Sequence, residues 1–205
     1  MLNYFSCIAL KQTTAPQINS ITQTINGSIR SNPNKLPKIL LGVVLACALF
    51  FGFLYGNNDI GKTANSLEND IRSSQKISDD WIVDGSLSDA MAAFISYPQD
   101  KTDHTFSVYV NRPGLSFGYF FRGGGDIVQV EDYIAEFVVE GYNERAFISM
   151  NTQNVVRLEI DDGNSIRVID IDSGKPFAIV LPLNAGSICF YDTNGNIVEY
   201  LRQPL

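Results

Sequence analysis

The sequence predicts a mainly β protein: an antiparallel β-sandwich of the immunoglobulin-like kind with one short N-terminal helix, preceded by a single transmembrane helix. Three observations point there. One uncharged apolar run, Ile39 to Tyr55, stands apart from the rest of the chain. From Thr105 onward, apolar residues recur at every second position, which is the period of strands with one buried face. Between those runs lie clusters of Gly, Pro, Asn and Asp at hairpin spacing.

The apolar run has 17 residues, about 26 Å at a helical rise of about 1.5 Å per residue. A bilayer's hydrocarbon core is about 30 Å thick and is crossed by about 17–25 residues. Lys38 can snorkel at one end, and Tyr55 suits the interface at the other. Pro37 opens the helix where its missing N–H costs nothing. The stop signal is "YGNND".

Charge fixes an expected orientation. Residues 1–58 carry Lys11, Arg30, Lys35 and Lys38 and no acid, a net +4. All 22 acids and the remaining 11 bases fall in residues 59–205, a net −11. Bases beside a span are retained in the cytoplasm. The expected organisation is a cytoplasmic disordered tail (1–38), a transmembrane helix (39–56), a polar stalk (57–80) and an extracytoplasmic β-sandwich domain (81–205), in a cell-membrane protein of one pass.

Three other readings of the run compete with a span. A buried core helix needs a large protein around it. A cleaved signal wants a short lead and a small-x-small site, whereas this lead is 38 residues long and "FLYGNND" offers none. The tetrapeptide "VLAC" resembles a lipobox and would make Cys47 a lipidation site, but the chain after it would open on "ALFFGFLYG" rather than on a polar tether. Ala48, Gly52 and Gly56 recur every four residues, the small-xxx-small spacing through which two membrane helices approach closely. They are the candidates for a homodimer contact.

Beyond the stalk, "SLSDAMAAFISYP" reads as the short helix. Ser86 and Asp89 make a capping-box-like start, Leu87, Met91, Phe94 and Ile95 fall on one side, and Pro98 ends it. The strands come next. Phe106, Val108 and Val110 share a face, as do Leu115, Phe117, Tyr119 and Phe121. Ala135, Phe137 and Val139 are set against an outward Glu136 and Glu140. Val156, Leu158 and Ile160 form another row, and Phe177, Ile179 and Leu181 the last. The turns between them are Pro113–Gly114, Asp162–Gly163 and Asn194–Gly195. The alternation slips between Val168 and Ile169, predicting a bulge or a strand end.

Chemistry-bearing residues are sparse. Cys189 is the single Cys after the apolar run, which excludes an internal disulfide there and suits a buried thiol. The only His, His104, lies near Asp100 and Asp103, but a zinc or hydrolytic site ordinarily needs more imidazole or thiolate. No metal and no cofactor is expected, and no nucleotide or hydrolase motif occurs. In "RGGGD", Arg122 with Gly123, Gly124 and Gly125 is a candidate anion-binding nest or a flexible hairpin tip. Phe120, on the face opposite Phe117, Tyr119 and Phe121, is core if both faces are covered and an adhesive contact if one is open.

Two classes of function follow. The first is a non-enzymatic module, anchored in the lipid bilayer, that binds a partner protein, a peptide or an envelope polymer. The second is a membrane-tethered envelope hydrolase working through paired carboxylates. Nucleic acid is excluded as a partner, because a net charge of −11 repels phosphate.

Overall fold

The computed structural model describes residues 36–57, 59–112 and 117–205. The expectations for the first 35 residues and for the Pro113–Gly114 turn with Leu115 lie outside the described residues. The packing divides the chain between Phe53 and Leu54.

Helix α1 (Leu36–Gly56) contains the apolar run. Its 19 residues from Lys38 to Gly56 are long and apolar enough to cross a membrane. Leu41 is 69% exposed and Phe53 66%. A core helix would bury such side chains, so that reading falls.

After α1 the chain is mainly β. The first sheet is a meander of β1 (Ile82–Leu87), β2 (Met91–Tyr97), β3 (Thr105–Asn111) and β4 (Tyr119–Gly125), paired in that order. The second has the order β12-β5-β6-β9, formed from β5 (Ile134–Val138), β6 (Glu144–Ser149), β9 (Phe177–Pro182) and β12 (Tyr200–Pro204). The third, β11-β10-β7-β8, is formed from β7 (Val155–Asp161), β8 (Ile166–Asp170), β10 (Ser187–Asp192) and β11 (Ile197–Val198). Pairing is antiparallel throughout these ladders except for β12, which runs parallel to β5.

The three sheets stack face to face, where a sandwich has two. Met91, Ile95, Val108 and Val110 of the first sheet meet Ala135, Phe137 and Ile148 of the second in one core. Ile134, Phe147 and Leu181, on the other face of the second sheet, meet Leu158, Ile160 and Phe190 of the third. The middle sheet is therefore buried on both sides. Two of the rows predicted from the two-residue period keep their faces: Phe106, Val108 and Val110 stay together, as do Ala135, Phe137 and Val139. In the row Val156–Leu158–Ile160 the first member is corrected, because Val155 and not Val156 joins Leu158 and Ile160 in the second core, next to a register shift at Tyr191/Asp192.

The helix expected at 86–98 is corrected. "MAAFISY" is strand β2, with Met91, Ala93, Ile95 and Tyr97 in the first core and Ala92 on the opposite face. A strand covered on both faces reads as a near-continuous apolar run, and such a run mimics a helix stripe. The predicted cap, Ser86, lies within β1 and accepts from the Val180 N–H at 2.7 Å; the turn from β1 into β2 is held instead by Ser88, whose hydroxyl accepts from the Met91 N–H at 2.9 Å.

The short helix lies earlier, at α2 (Leu67–Gln75), inside the segment expected to be a stalk. Its Leu67 and Ile71 are fully buried with Ala92 and Tyr109 on the outer face of the first sheet. Residues 59–62 are pinned as well, through bridges from Ile60 to Phe117 and from Lys62 to Tyr119.

The turns at Asp162–Gly163 and Asn194–Gly195 are where the sequence placed them, with Gly163 and Gly195 at φ +86 and +81, a region open to Gly at little steric cost. The slip at Val168–Ile169 is no bulge. Register runs on regularly through both residues, and the strand ends at Asp170.

Candidate functional surfaces

The glycine run is neither a nest nor a hairpin tip. Gly123, Gly124 and Gly125 are ladder rungs of β4 opposite Val108, Ser107 and Phe106. Their small size admits close neighbours: a Cβ on Gly123 would meet Leu205 Cδ2 at 2.6 Å, and one on Gly124 would meet Gln75 Nε2 at 2.5 Å. Over Gly124, the Gln75 side chain reaches β3, where its Oε1 accepts from the Thr105 hydroxyl at 3.1 Å. Arg122 is exposed and belongs to no such cradle. Phe120 is half-buried under the guanidinium of Arg112, whose Cζ lies 3.9 Å from the ring centroid. That covers the face an adhesive aromatic would need.

The acidic neighbours of His104 are engaged locally. Asp100 accepts from the Thr102 hydroxyl at 2.8 Å, and these turn bonds hold its carboxyl below the usual range. Asp103 accepts from the backbone N–H of His104 at 2.8 Å. Among the described residues, no three His, Cys, Asp or Glu side chains converge as metal ligands. His104 is 7% exposed, with its Nε2 sealed from solvent and unpartnered. It borders a recess of about 160 Å³ with Asp126 and Glu131, two acids that lie more than 20 positions from it along the chain. Drug-sized ligands fill about 300–1,000 Å³, and at about 30 Å³ per water this recess has room for roughly five.

Glu136 is the largest departure from the sequence reading. It is 0% exposed and clamped between Arg145 Nη1 at 3.0 Å and Arg202 Nε at 2.9 Å. Arg202 comes from β12, so this carboxylate ties the last strand to the second sheet. Alternation correctly puts Glu136 opposite Phe137; the face opposite is simply a second core. The Glu136 contact raises the Arg202 pKa above its usual value.

Asn151 is a second hub that the sequence did not single out. It is 4% exposed at φ +58. Its Nδ2 lies 3.2, 3.0 and 3.1 Å from the carbonyls of Val155, Asp172 and Lys175, and its Oδ1 accepts from the Val155 N–H at 2.7 Å. Several loops thus converge on one amide.

In α1, Ala48, Gly52 and Gly56 share the expected face, and a Cβ on Gly52 or Gly56 would meet nothing within 4 Å. Cys47 is exposed near the middle of this helix. Cys189 is half-buried in β10.

One open strand edge lies along β8. This strand pairs with β7 on one side only and ends its sheet. Ile166 is 62% exposed and Val168 49%. Two clefts flank it: one of about 250 Å³ bounded by Ile160, Asp162, Arg167 and Pro182, and one of about 320 Å³ bounded by Asp84, Asp170, Asp172, Lys175 and Phe177. Both run between β8 and residues of β9. The second is acidic, with Lys175 Nζ already 3.4 Å from Asp172.

No family model, no curated protein and no solved structure matches this chain.

Proposed function

We propose that this chain is a single-pass, membrane-anchored, non-enzymatic module, with its N-terminal segment in the cytoplasm and its β domain outside, that binds a peptide segment of a partner protein. Stacked sheets serve it as a sandwich-type scaffold, in the way that immunoglobulin-like domains carry recognition on loops and edges. The observation that carries this reading is the unpaired edge of β8, with exposed Ile166 and Val168 and a cleft at either end. An added strand gains main-chain hydrogen bonds, and its alternate side chains enter pockets that set specificity. Asp84, Asp170 and Asp172 outnumber Lys175 in the larger cleft, which selects a basic side chain there.

The test is photo-crosslinking in native membranes from a reactive side chain at position 168, with position 140 in the exposed turn after β5 as control. A partner captured from 168 and not from 140, and lost when Ile166→Lys blocks strand addition, supports the reading. Capture of nothing but the chain itself would overturn it.

A further inference from the structure

We propose that Ile60 and Phe117 form a lipid contact that seats the β domain against the membrane–water interface; the inference rests on reading α1 as a membrane span. Chain length sets the constraint. Helix α1 ends at Gly56, and the backbone is clamped again from Asp59. The Phe117 N–H donates to the Asp59 carbonyl at 2.9 Å, and the Gly61 N–H donates to the Phe117 carbonyl at 2.6 Å. Lys62 and Tyr119 exchange both of their backbone bonds at 2.8 Å. Only two residues, 57 and 58, separate the helix from this clamp. At no more than about 3.6 Å per residue, Asp59 lies within about 11 Å of the helix end and Ile60 within about 14 Å. The headgroup layer on each side of the hydrocarbon is roughly 5–8 Å deep. The start of the domain is thereby confined to the neighbourhood of the headgroups.

What that confined edge displays is apolar. Ile60 is 46% exposed and Phe117 53%, and they are bridge partners in a parallel pairing. The bridge is tight, because a Cβ on Gly61 would meet Tyr119 O at 2.5 Å and one on Gly118 would meet Lys62 O at 2.5 Å. A loose stalk would carry these side chains away from the membrane, whereas the clamp leaves only residues 57 and 58 between the end of the helix and the start of the domain. Charge does not lead the contact. The nearest base, Lys62, pairs with Asp70 at 2.8 Å, and residues 59–205 carry a net −11, which anionic lipid repels. A neutral, zwitterionic surface is therefore sufficient, with an aromatic ring and a branched side chain at the depth such groups favour.

The experiment uses the full chain in phosphatidylcholine vesicles, with lipids brominated near the headgroup end of the acyl chain. Trp81→Phe removes the only tryptophan, and Phe117→Trp, Ile60→Trp or Ile166→Trp then supplies one reporter at a time. Bromolipid is expected to lower emission about twofold or more from 117 and from 60, at low and high salt alike, and to leave 166, two sheets away, unchanged. Equal emission losses at 117, 60 and 166 would overturn the contact. So would reporters at 117 and 60 that are shielded from aqueous acrylamide yet untouched by bromolipid, since a second copy or another protein would then cover the edge. Extraction by alkaline carbonate separates the two readings: release of the chain refutes the span, whereas retention without bromolipid quenching refutes the contact alone.

Discussion

Replacing Glu136 by Ala should be among the most damaging single changes to the β domain. Its carboxylate is 0% exposed, and the Arg145 side chain that pairs with it is 8% exposed. Removing the acid leaves a buried guanidinium whose Nε already lacks a partner, and breaking a buried pair from one side costs about 3–5 kcal/mol. Arg145→Ala should cost about as much, for the mirror-image reason. Arg202 contacts the same carboxylate with its side chain 66% exposed, so water screens it and Arg202→Ala should cost far less than either of the other two. With a urea slope of about 2 kcal/mol/M, the first two variants lower the unfolding midpoint by roughly 1.5–2.5 M and the third by far less. The assay is equilibrium urea unfolding of the detergent-solubilised chain, followed by circular dichroism of the strands. The double variant Glu136→Leu with Arg145→Met removes both charges together and should recover most of the loss. Equal losses for Arg145→Ala and Arg202→Ala, or a loss below about 1 kcal/mol for Glu136→Ala, would refute the buried-clamp reasoning.

Three further outcomes are expected. Asn151→Asp should destabilise the domain by about 3 kcal/mol or more, because an ionised carboxylate cannot donate to the carbonyls of Val155, Asp172 and Lys175 and leaves them unsatisfied; a urea midpoint equal to that of the native chain would contradict this. The turn carboxylates of Asp162, Asp172 and Asp192 accept bonds from following residues, which hold their pKa values below the ordinary range; their stabilisation is complete above the unfolded value of about 3.9 and is lost as pH falls through the lower folded values. The urea midpoint should therefore stay level in this respect down to about pH 5 and fall below about pH 4, and Asn at all three positions should flatten that fall. Gly124→Val should cost about 1–3 kcal/mol in the same assay, since its Cβ collides with Gln75 and with the Phe106 carbonyl; no loss would show that Gln75 simply moves aside.

Strands with one apolar row were legible, and so were the hairpin turns. β3 is legible although it too is covered on both faces, because Thr105, Ser107 and Tyr109 keep polar groups on its second row, and Gly163 and Gly195 mark real turns because turn chemistry is a local property of the chain. What misled was burial on both faces. β2 is covered on one side by the second sheet and on the other by α2, so its continuous apolar run lost the two-residue signature. Glu136 was read as solvent-facing by an alternation that was correct, since nothing local announces a second core behind the middle sheet. The segment 57–80 was read as a stalk from its polarity, although Leu67 and Ile71 suffice to dock α2. The glycine run was read as a loop because its purpose, room for Gln75 and Leu205, depends on residues about 50 and 80 positions away. The open edge of β8 and its clefts were illegible for the same reason: an edge is defined by which strands fail to arrive.

In the proposed topology one membrane-crossing helix separates a cationic leader from an anionic β domain outside the cell. Protease added to intact cells carrying a tag after Leu205, together with alkaline carbonate extraction of their membranes, tests it most directly. The account predicts that the tag is lost without lysis while α1 stays in the membrane fraction. A tag that survives until the cells are broken would contradict it.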